Sequence, residues 1–124
     1  MEKTKYFCLD VSGSMSEQQL QMAFEQVATR ARKTGDFLVA FDHEPYGILP
    51  VEEVLGKLVM DAQDLVRTLC PAMKGRGGTD ARPVLQAVSD HARDHHVLAH
   101  IVLISDGELP NDDLKRFDEF VRIG

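Results

Sequence analysis

Only two cysteines, Cys8 and Cys70, occur in the 124 residues of this chain. Two cysteines do not make the disulfide framework that holds small secreted domains together. Cys8 lies inside an apolar segment, where a free thiol behaves as a small hydrophobic side chain. We therefore expect both cysteines to be reduced, in a cytoplasmic protein.

Long apolar segments and basic residues are also scarce. No apolar run approaches the roughly 20 residues that a membrane-spanning helix needs, and the run after the charged N-terminus is too short for a secretory signal. We expect neither export nor a membrane partner. Lysine and arginine number 14 against 20 aspartates and glutamates, a net charge of −6, which argues against nucleic-acid binding because that requires a basic face.

What is present indicates one folded unit. Hydrophobic residues make up 44% of the chain, a share typical of globular proteins. The length suffices for one domain with a core and is too short for two. We find no linker, repeat or low-complexity segment, and we predict a single domain over residues 1–124.

Strand-like and helix-like segments alternate along the chain. Continuous apolar runs predict buried strands, and a run bounded by prolines predicts an edge strand. The predicted strands are residues 6–9, 37–41, 46–51 and 98–104. Apolar residues at three- and four-residue spacing predict helices. The first helix follows Ser16, which forms a capping box with Gln19, and stops near Gly35. A second covers much of residues 52–69, and a third follows Asp80 as its cap. The last runs from Asn111, with Leu114, Phe117, Phe120 and Val121 facing inward. Alternation of this kind predicts an α/β fold with a mainly parallel sheet.

Oxygen-bearing side chains follow two of the predicted strands. The first strand stops at Asp10, with Ser12 and Ser14 in the turn behind it, and a later strand ends at Asp106. A glycine-rich loop, residues 75–80, carries Thr79. Carboxylates and hydroxyls are the ligands that hard cations such as Mg²⁺ prefer. Because ligands bind at the carboxyl ends of strands in open parallel sheets, these residues are candidates for one site.

In the order Asp-x-Ser-x-Ser, then Thr, then Asp, these residues resemble the metal ion-dependent adhesion site (MIDAS) of the von Willebrand factor A (VWA) family. The resemblance extends over residues 5–120. It implies a three-layer α/β/α, Rossmann-like VWA fold around a mainly parallel central sheet. The family pattern normally continues beyond this point, so the resemblance predicts a minimal version or one truncated at the C-terminus.

The resemblance implies a ligand set and a function. The metal would be Mg²⁺, with Mn²⁺ or Ca²⁺ as alternatives, and its ligands Asp10, Ser12, Ser14, Thr79 and Asp106. Two carboxylates balance the charge of a divalent cation, and uncharged hydroxyls keep it electrophilic toward an incoming carboxylate. We predict a metal-dependent protein-binding module, not an enzyme, that coordinates an acidic residue of a partner protein. Cytoplasmic family members commonly work beside AAA-type ATPases, which makes such an ATPase a candidate partner.

Two other functions compete with this prediction. A Mg²⁺-dependent phosphotransfer or hydrolytic enzyme of the haloacid dehalogenase type uses Asp-x-Asp, in which the first Asp is the nucleophile and the second the acid/base. Here Ser12 stands in the second position and serves poorly in either role. The third function is a metal-free VWA scaffold, against which the intact ligand set speaks.

The histidines suggest a zinc site only superficially. His91 and His95 lie four residues apart on a predicted helix, and His96 follows. The sequence lacks the Glu that stands beside the first His in His-Glu-x-x-His, and no other ligand cluster lies nearby. We expect a solvated helix end there. We also expect His43 to be a turn residue and Asp80 to be a helix cap or a neighbour of the ligands.

Overall fold

The computed structural model describes residues 3–31, 35–55 and 79–124. Its strands are β1 (Lys3–Asp10), β2 (Phe37–Phe41), β3 (Pro45–Pro50), β4 (Leu98–Ser105) and β5 (Glu119–Arg122). Its helices are α1 (Glu17–Arg30), α2 (Val51–Leu55), α3 (Ala81–Asp94) and α4 (Asn111–Leu114). Most of the predicted helix over residues 52–69, and residues 75–78 of the glycine-rich loop, lie outside the described residues.

The five strands form one sheet in the order β3-β2-β1-β4-β5. β1 pairs in parallel with β2 on one side and with β4 on the other, and β4 pairs in parallel with β5. β3 pairs antiparallel with β2 at the edge, where its prolines are tolerated. The predicted α/β fold with a mainly parallel sheet is confirmed, and so is the predicted edge strand.

The two faces of the sheet bury separate apolar clusters. Side chains alternate along a strand, so that Phe7 and Leu9 of β1 point to one face, while Tyr6 and Cys8 point to the other. α1 covers the first face and α3 the second. Their buried residues are Leu20, Ala23, Phe24 and Val27 on α1 and Ala81, Val84, Val88 and Ala92 on α3. β1, covered on both faces, therefore lies at the centre of the fold.

Local capping signals place the starts of both long helices. The Ser16 hydroxyl accepts a hydrogen bond from the Gln19 backbone N–H, and the Gln19 side chain accepts one from the Ser16 N–H, as predicted. The Asp80 carboxylate accepts from the Arg82 N–H at 3.0 Å, which confirms the second predicted cap. α1 ends at Arg30, because Ala31 already has an extended backbone, and thus stops before the predicted Gly35.

The predicted last helix is wrong beyond its first turn. α4 contains only Asn111–Leu114, begins after Pro110 and has no side-chain cap; the segment expected to carry Phe120 and Val121 on a helix face forms β5 instead. Asp118 is the reason: its backbone N–H donates to the Ile101 carbonyl, and its carboxylate accepts from the Ile101 N–H. These two bonds align the following residues with β4. A short apolar run fits a helix or a strand equally well by periodicity alone.

Among the described residues, no helix is both long enough and apolar enough to cross a membrane.

Candidate metal site

The ends of β1 and β4 lie side by side at the carboxyl edge of the sheet. Leu9 is opposite Ile104 in the parallel register, so the next residues, Asp10 and Ser105, are neighbours. Ser105 directly precedes Asp106. Pairing of β1 with β4 therefore brings together two predicted ligands, Asp10 and Asp106, that are far apart in the chain.

Asp10 is fully buried, and both of its carboxylate oxygens accept hydrogen bonds. Oδ1 accepts from the Ser12 backbone N–H at 2.8 Å. Oδ2 accepts from the Ser105 hydroxyl at 2.6 Å, a short, charge-assisted bond. These bonds fix the orientation of the carboxylate at the end of β1.

The turn after Asp10 carries the two predicted serine ligands. The Ser12 and Ser14 hydroxyl oxygens lie 3.0 Å apart. Ser12 is buried, whereas Ser14 is exposed. The Met15 N–H donates to the Ser12 carbonyl and closes this turn ahead of the Ser16 cap. The two hydroxyls therefore lead from the buried end of β1 to the surface.

Asp106 lies in the loop after β4. Its Oδ1 accepts from the Glu108 N–H at 3.1 Å and is 3.4 Å from the Ser105 hydroxyl oxygen. The Gly107 N–H donates to the same Ser105 oxygen. Ser105 thus contacts both predicted carboxylate ligands, Asp10 and Asp106, and its hydroxyl also anchors the start of the loop that follows β4.

Thr79 is placed near this edge of the sheet by a backbone contact of its neighbour, Asp80. The Val11 N–H donates to the Phe41 carbonyl at the end of β2, and the Asp80 N–H donates to the carbonyl of the next residue, Asp42. The segment that carries Thr79 is therefore attached to the end of β2, beside the end of β1.

Asp80 serves as the cap of α3. Besides the Arg82 N–H, its carboxylate binds the Arg82 guanidinium at 3.0 and 3.1 Å. The side-chain and backbone hydrogen bonds from Arg82 lower the pKa of Asp80. Both oxygens of this carboxylate are engaged within α3.

Two residues of the site were missed by the analysis of the sequence. Ser105 is the polar end of an apolar strand. Asp42 directly follows β2, just as Asp106 follows β4, and is fully buried. Its carboxylate accepts from the His43 N–H and the Tyr46 hydroxyl. The signal used for Asp10, an apolar strand that stops at an aspartate, would also have identified Asp42. The exposed His43 ring contacts this carboxylate at 3.1 Å and lies in the turn, as predicted.

The donor set fits a hard cation. It consists of oxygen atoms only, two carboxylates and three hydroxyls, which is the chemistry that Mg²⁺ prefers. Within residues 3–31, 35–55 and 79–124 there is no cluster of three or more His, Cys, Asp or Glu side chains that could hold a metal. The candidate set has only two carboxylates and takes its remaining ligands from Ser and Thr.

An open groove of about 520 Å³ begins at Thr79 and extends between the start of α3 and α4. It is lined by Thr79, Asp80, Arg82, Pro110, Asp112, Asp113 and Arg116. The groove offers both guanidinium and carboxylate groups beside the predicted ligand Thr79.

Comparison of the chain with models of protein families and with curated proteins found no match.

Proposed function

We propose that this chain is a metal-dependent protein-binding module of the VWA type, with a three-layer α/β/α arrangement. In this proposal Mg²⁺, or alternatively Mn²⁺ or Ca²⁺, is held by Asp10, Ser12, Ser14, Thr79 and Asp106. A partner protein supplies an aspartate or glutamate to the ion. An AAA-type ATPase is the class of partner that the family resemblance implies.

The observation that carries the proposal is the junction of Asp10, Ser105 and Asp106 at the ends of two adjacent parallel strands. The Ser105 hydroxyl is 2.6 Å from one carboxylate and 3.4 Å from the other. Two carboxylates that share one neighbouring hydroxyl gather negative charge at this edge of the sheet, and positive charge nearby would offset it. A divalent cation would supply that charge, which supports a metal at this place.

In this proposal, some residues around the junction orient the Asp10 carboxylate and others supply ligand oxygens. Ser105 and the Ser12 N–H hold the Asp10 carboxylate in one orientation. Ser12, Ser14 and Thr79 contribute oxygen without adding charge. When bound, the cation supplies a Lewis-acidic position for a carboxylate of the partner. The groove beside Thr79, which carries both arginine and aspartate side chains, would receive the chain that flanks this acidic residue.

A metal-free scaffold is the second candidate, and one specific observation favours it. Asp10 already has a hydrogen-bond donor on each carboxylate oxygen, and no buried side-chain polar atom of the described residues lacks a partner. The edge of the sheet can therefore hold together through its own hydrogen bonds. Such a scaffold would bind its partner equally well with and without Mg²⁺.

Calorimetric titration with Mg²⁺ tests the metal site directly. We expect one Mg²⁺ per chain and a rise in melting temperature, because a ligand that binds only the folded state stabilises it. Ser14→Ala and Asp106→Asn should weaken both effects. Ser89→Ala and Asp90→Asn are matched controls on α3 and should leave them unchanged. Absence of any Mg²⁺, Mn²⁺ or Ca²⁺ binding to the folded wild-type chain would overturn the proposed site.

A capture experiment tests the partner. The immobilised chain is exposed to a lysate in Mg²⁺ or in EDTA, and retained proteins are identified. We expect a partner that is retained in Mg²⁺, released by EDTA and absent with the Asp106→Asn chain. A partner that stays bound in EDTA and to Asp106→Asn would instead establish the metal-free scaffold.

A further inference from the structure

A cluster of aromatic and imidazole rings lies on the α3 side of the sheet, nearer the amino ends of the strands and away from the proposed Mg²⁺ site. Tyr6 and Phe37 are paired residues of β1 and β2, and their rings stack with centroids 5.1 Å apart. The His91 ring meets both edge-on, at 5.5 and 4.6 Å. His95, the residue that directly follows α3, stacks on His91 at 3.9 Å with the planes 12° apart.

His91 does not lie at the solvated helix end that the sequence suggested. It is partly buried, and its Nδ1 is 2.8 Å from the Tyr6 hydroxyl. Burial and, secondarily, the neighbouring His95 lower the pKa of His91, while the Asp94 carboxylate acts in the opposite direction. The surroundings of His91 therefore favour the neutral imidazole, whose nitrogen lone pair a metal ion requires.

The hydrogen bonds of both rings leave their Nε2 atoms as the available ligands. His95 Nδ1 is 2.9 Å from the His91 carbonyl oxygen. Because a carbonyl oxygen can only accept, His95 carries its proton on Nδ1 when neutral, and the lone pair is on Nε2. The Tyr6 hydroxyl can donate or accept, so His91 can adopt the same tautomer without losing its bond. Metal-binding histidines in proteins commonly use their second nitrogen in this way.

We propose that His91 and His95 form a two-histidine site for a divalent transition-metal ion such as Zn²⁺, Ni²⁺ or Cu²⁺, bound through the two Nε2 atoms. Imidazole pairs favour these ions over Mg²⁺. Residues four apart on a helix are neighbours on one face. The exposed His95 ring can leave the stack, giving up its Nδ1 bond to the His91 carbonyl, and share an ion with the more rigidly held His91. The described residues hold no third side-chain ligand here, so water or another molecule completes the coordination.

The site is independent of the proposed Mg²⁺ function, and a pair of matched variants tests it. Ni²⁺ and Zn²⁺ are titrated into the full chain in excess Mg²⁺ at neutral pH. Wild type and His96→Asn should bind one ion with equal affinity, because His96 is exposed and has a left-handed backbone (φ 55°) that asparagine tolerates. His95→Asn should bind more than about 10-fold more weakly, since loss of even a partner of a ligand costs that much.

A second measurement locates the ion. In amide NMR spectra, substoichiometric Cu²⁺ should broaden signals around His91 and His95 before those around Asp10. Tyr6→Phe, which removes the hydroxyl bonded to His91, should weaken Ni²⁺ binding by about 10-fold while the fold persists by circular dichroism. Equal affinity of His95→Asn and wild type, or no transition-metal binding by wild type, would overturn the proposal.

Discussion

The hydroxyl of Ser105 donates a hydrogen bond of 2.6 Å to the carboxylate of Asp10, 95 positions away in the chain. Both side chains are fully buried. The bond depends on the register that sets Leu9 opposite Ile104, because a shift of one residue turns a side chain to the other face of a sheet. The candidate site is therefore a product of the pairing of β1 with β4.

Substitution of Ser105 by alanine should destabilise the protein. The buried Oδ2 of Asp10 would lose its donor, and an unsatisfied buried acceptor costs about 1–3 kcal/mol. Urea unfolding at neutral pH measures this loss. Ser89→Ala, the same change at an exposed position of α3, is the control and should have little effect. Equal unfolding midpoints for the two variants would mean that the bond contributes nothing to the stability.

Gly107 holds the loop after β4 in a conformation that other residues avoid. Its φ is +89°, and a Cβ atom there would lie 2.9 Å from the Arg122 guanidinium. Gly107→Ala should cost about 1–3 kcal/mol of unfolding free energy, mainly from the backbone, since the flexible Arg122 side chain can move away.

Gly47→Ala separates the cost of the backbone conformation from the cost of the contact with Arg122. Gly47 has φ +95° and no atom within 4 Å of the added Cβ, so this variant carries the backbone cost alone. We expect similar losses from both variants in urea unfolding. A much larger loss for Gly107→Ala, relieved by adding Arg122→Ala, would show instead that Arg122 is fixed and that the contact dominates.

Local signals in the sequence were sufficient for much of the fold. The capping box of Ser16 and Gln19 and the cap at Asp80 involve residues two or three positions apart, so the sequence contains both partners of each bond. The buried strands were predictable for a similar reason, because a parallel strand covered on both faces is a continuous apolar run. Aspartates that end such runs were therefore visible as candidate ligands.

Features that depend on strand pairing were not predictable in the same way. Ser105 acquires its role only because β4 lies next to β1, and nothing near Ser105 in the chain shows that neighbour. β5 forms because Asp118 is bonded to Ile101, and the same residues fit a helix by periodicity. His91 was expected in solvent since its partner Tyr6 is 85 positions away.

Cys8 should be unreactive in the folded protein. It is fully buried in β1, and burial raises the pKa of its thiol far above the usual range. Thiol reagents attack the thiolate, which is therefore both inaccessible and scarce. In a Cys70→Ser chain, whose one thiol is Cys8, an aromatic disulfide reagent at neutral pH should release no chromophore until urea unfolds the protein. Rapid labelling without urea would contradict the burial of β1.

Protonation of His91 should make stability depend on pH. Burial lowers its pKa below the ordinary value of 6.5, so between these two values the unfolded chain binds a proton that the folded chain does not. Stability must then rise with pH across this window. The contribution of His91 is fully present above pH 6.5 and is lost as the pH falls through the lowered pKa. The groups that face the ring are Tyr6 from β1, Phe37 from β2, Asp94 at the end of α3 and His95 directly after it.

Urea unfolding of wild type and two variants between pH 7.5 and 5.0 isolates this contribution. His91→Asn removes the group, so its unfolding midpoint should fall less steeply than that of wild type as the solution is acidified. His96→Asn makes the same change at the exposed residue next to the cluster and should keep the slope of wild type. If His91→Asn retained the slope of wild type instead, the pH dependence would come from other groups. Folding would then not favour the neutral form of the His91 ring that contacts Tyr6 and Phe37.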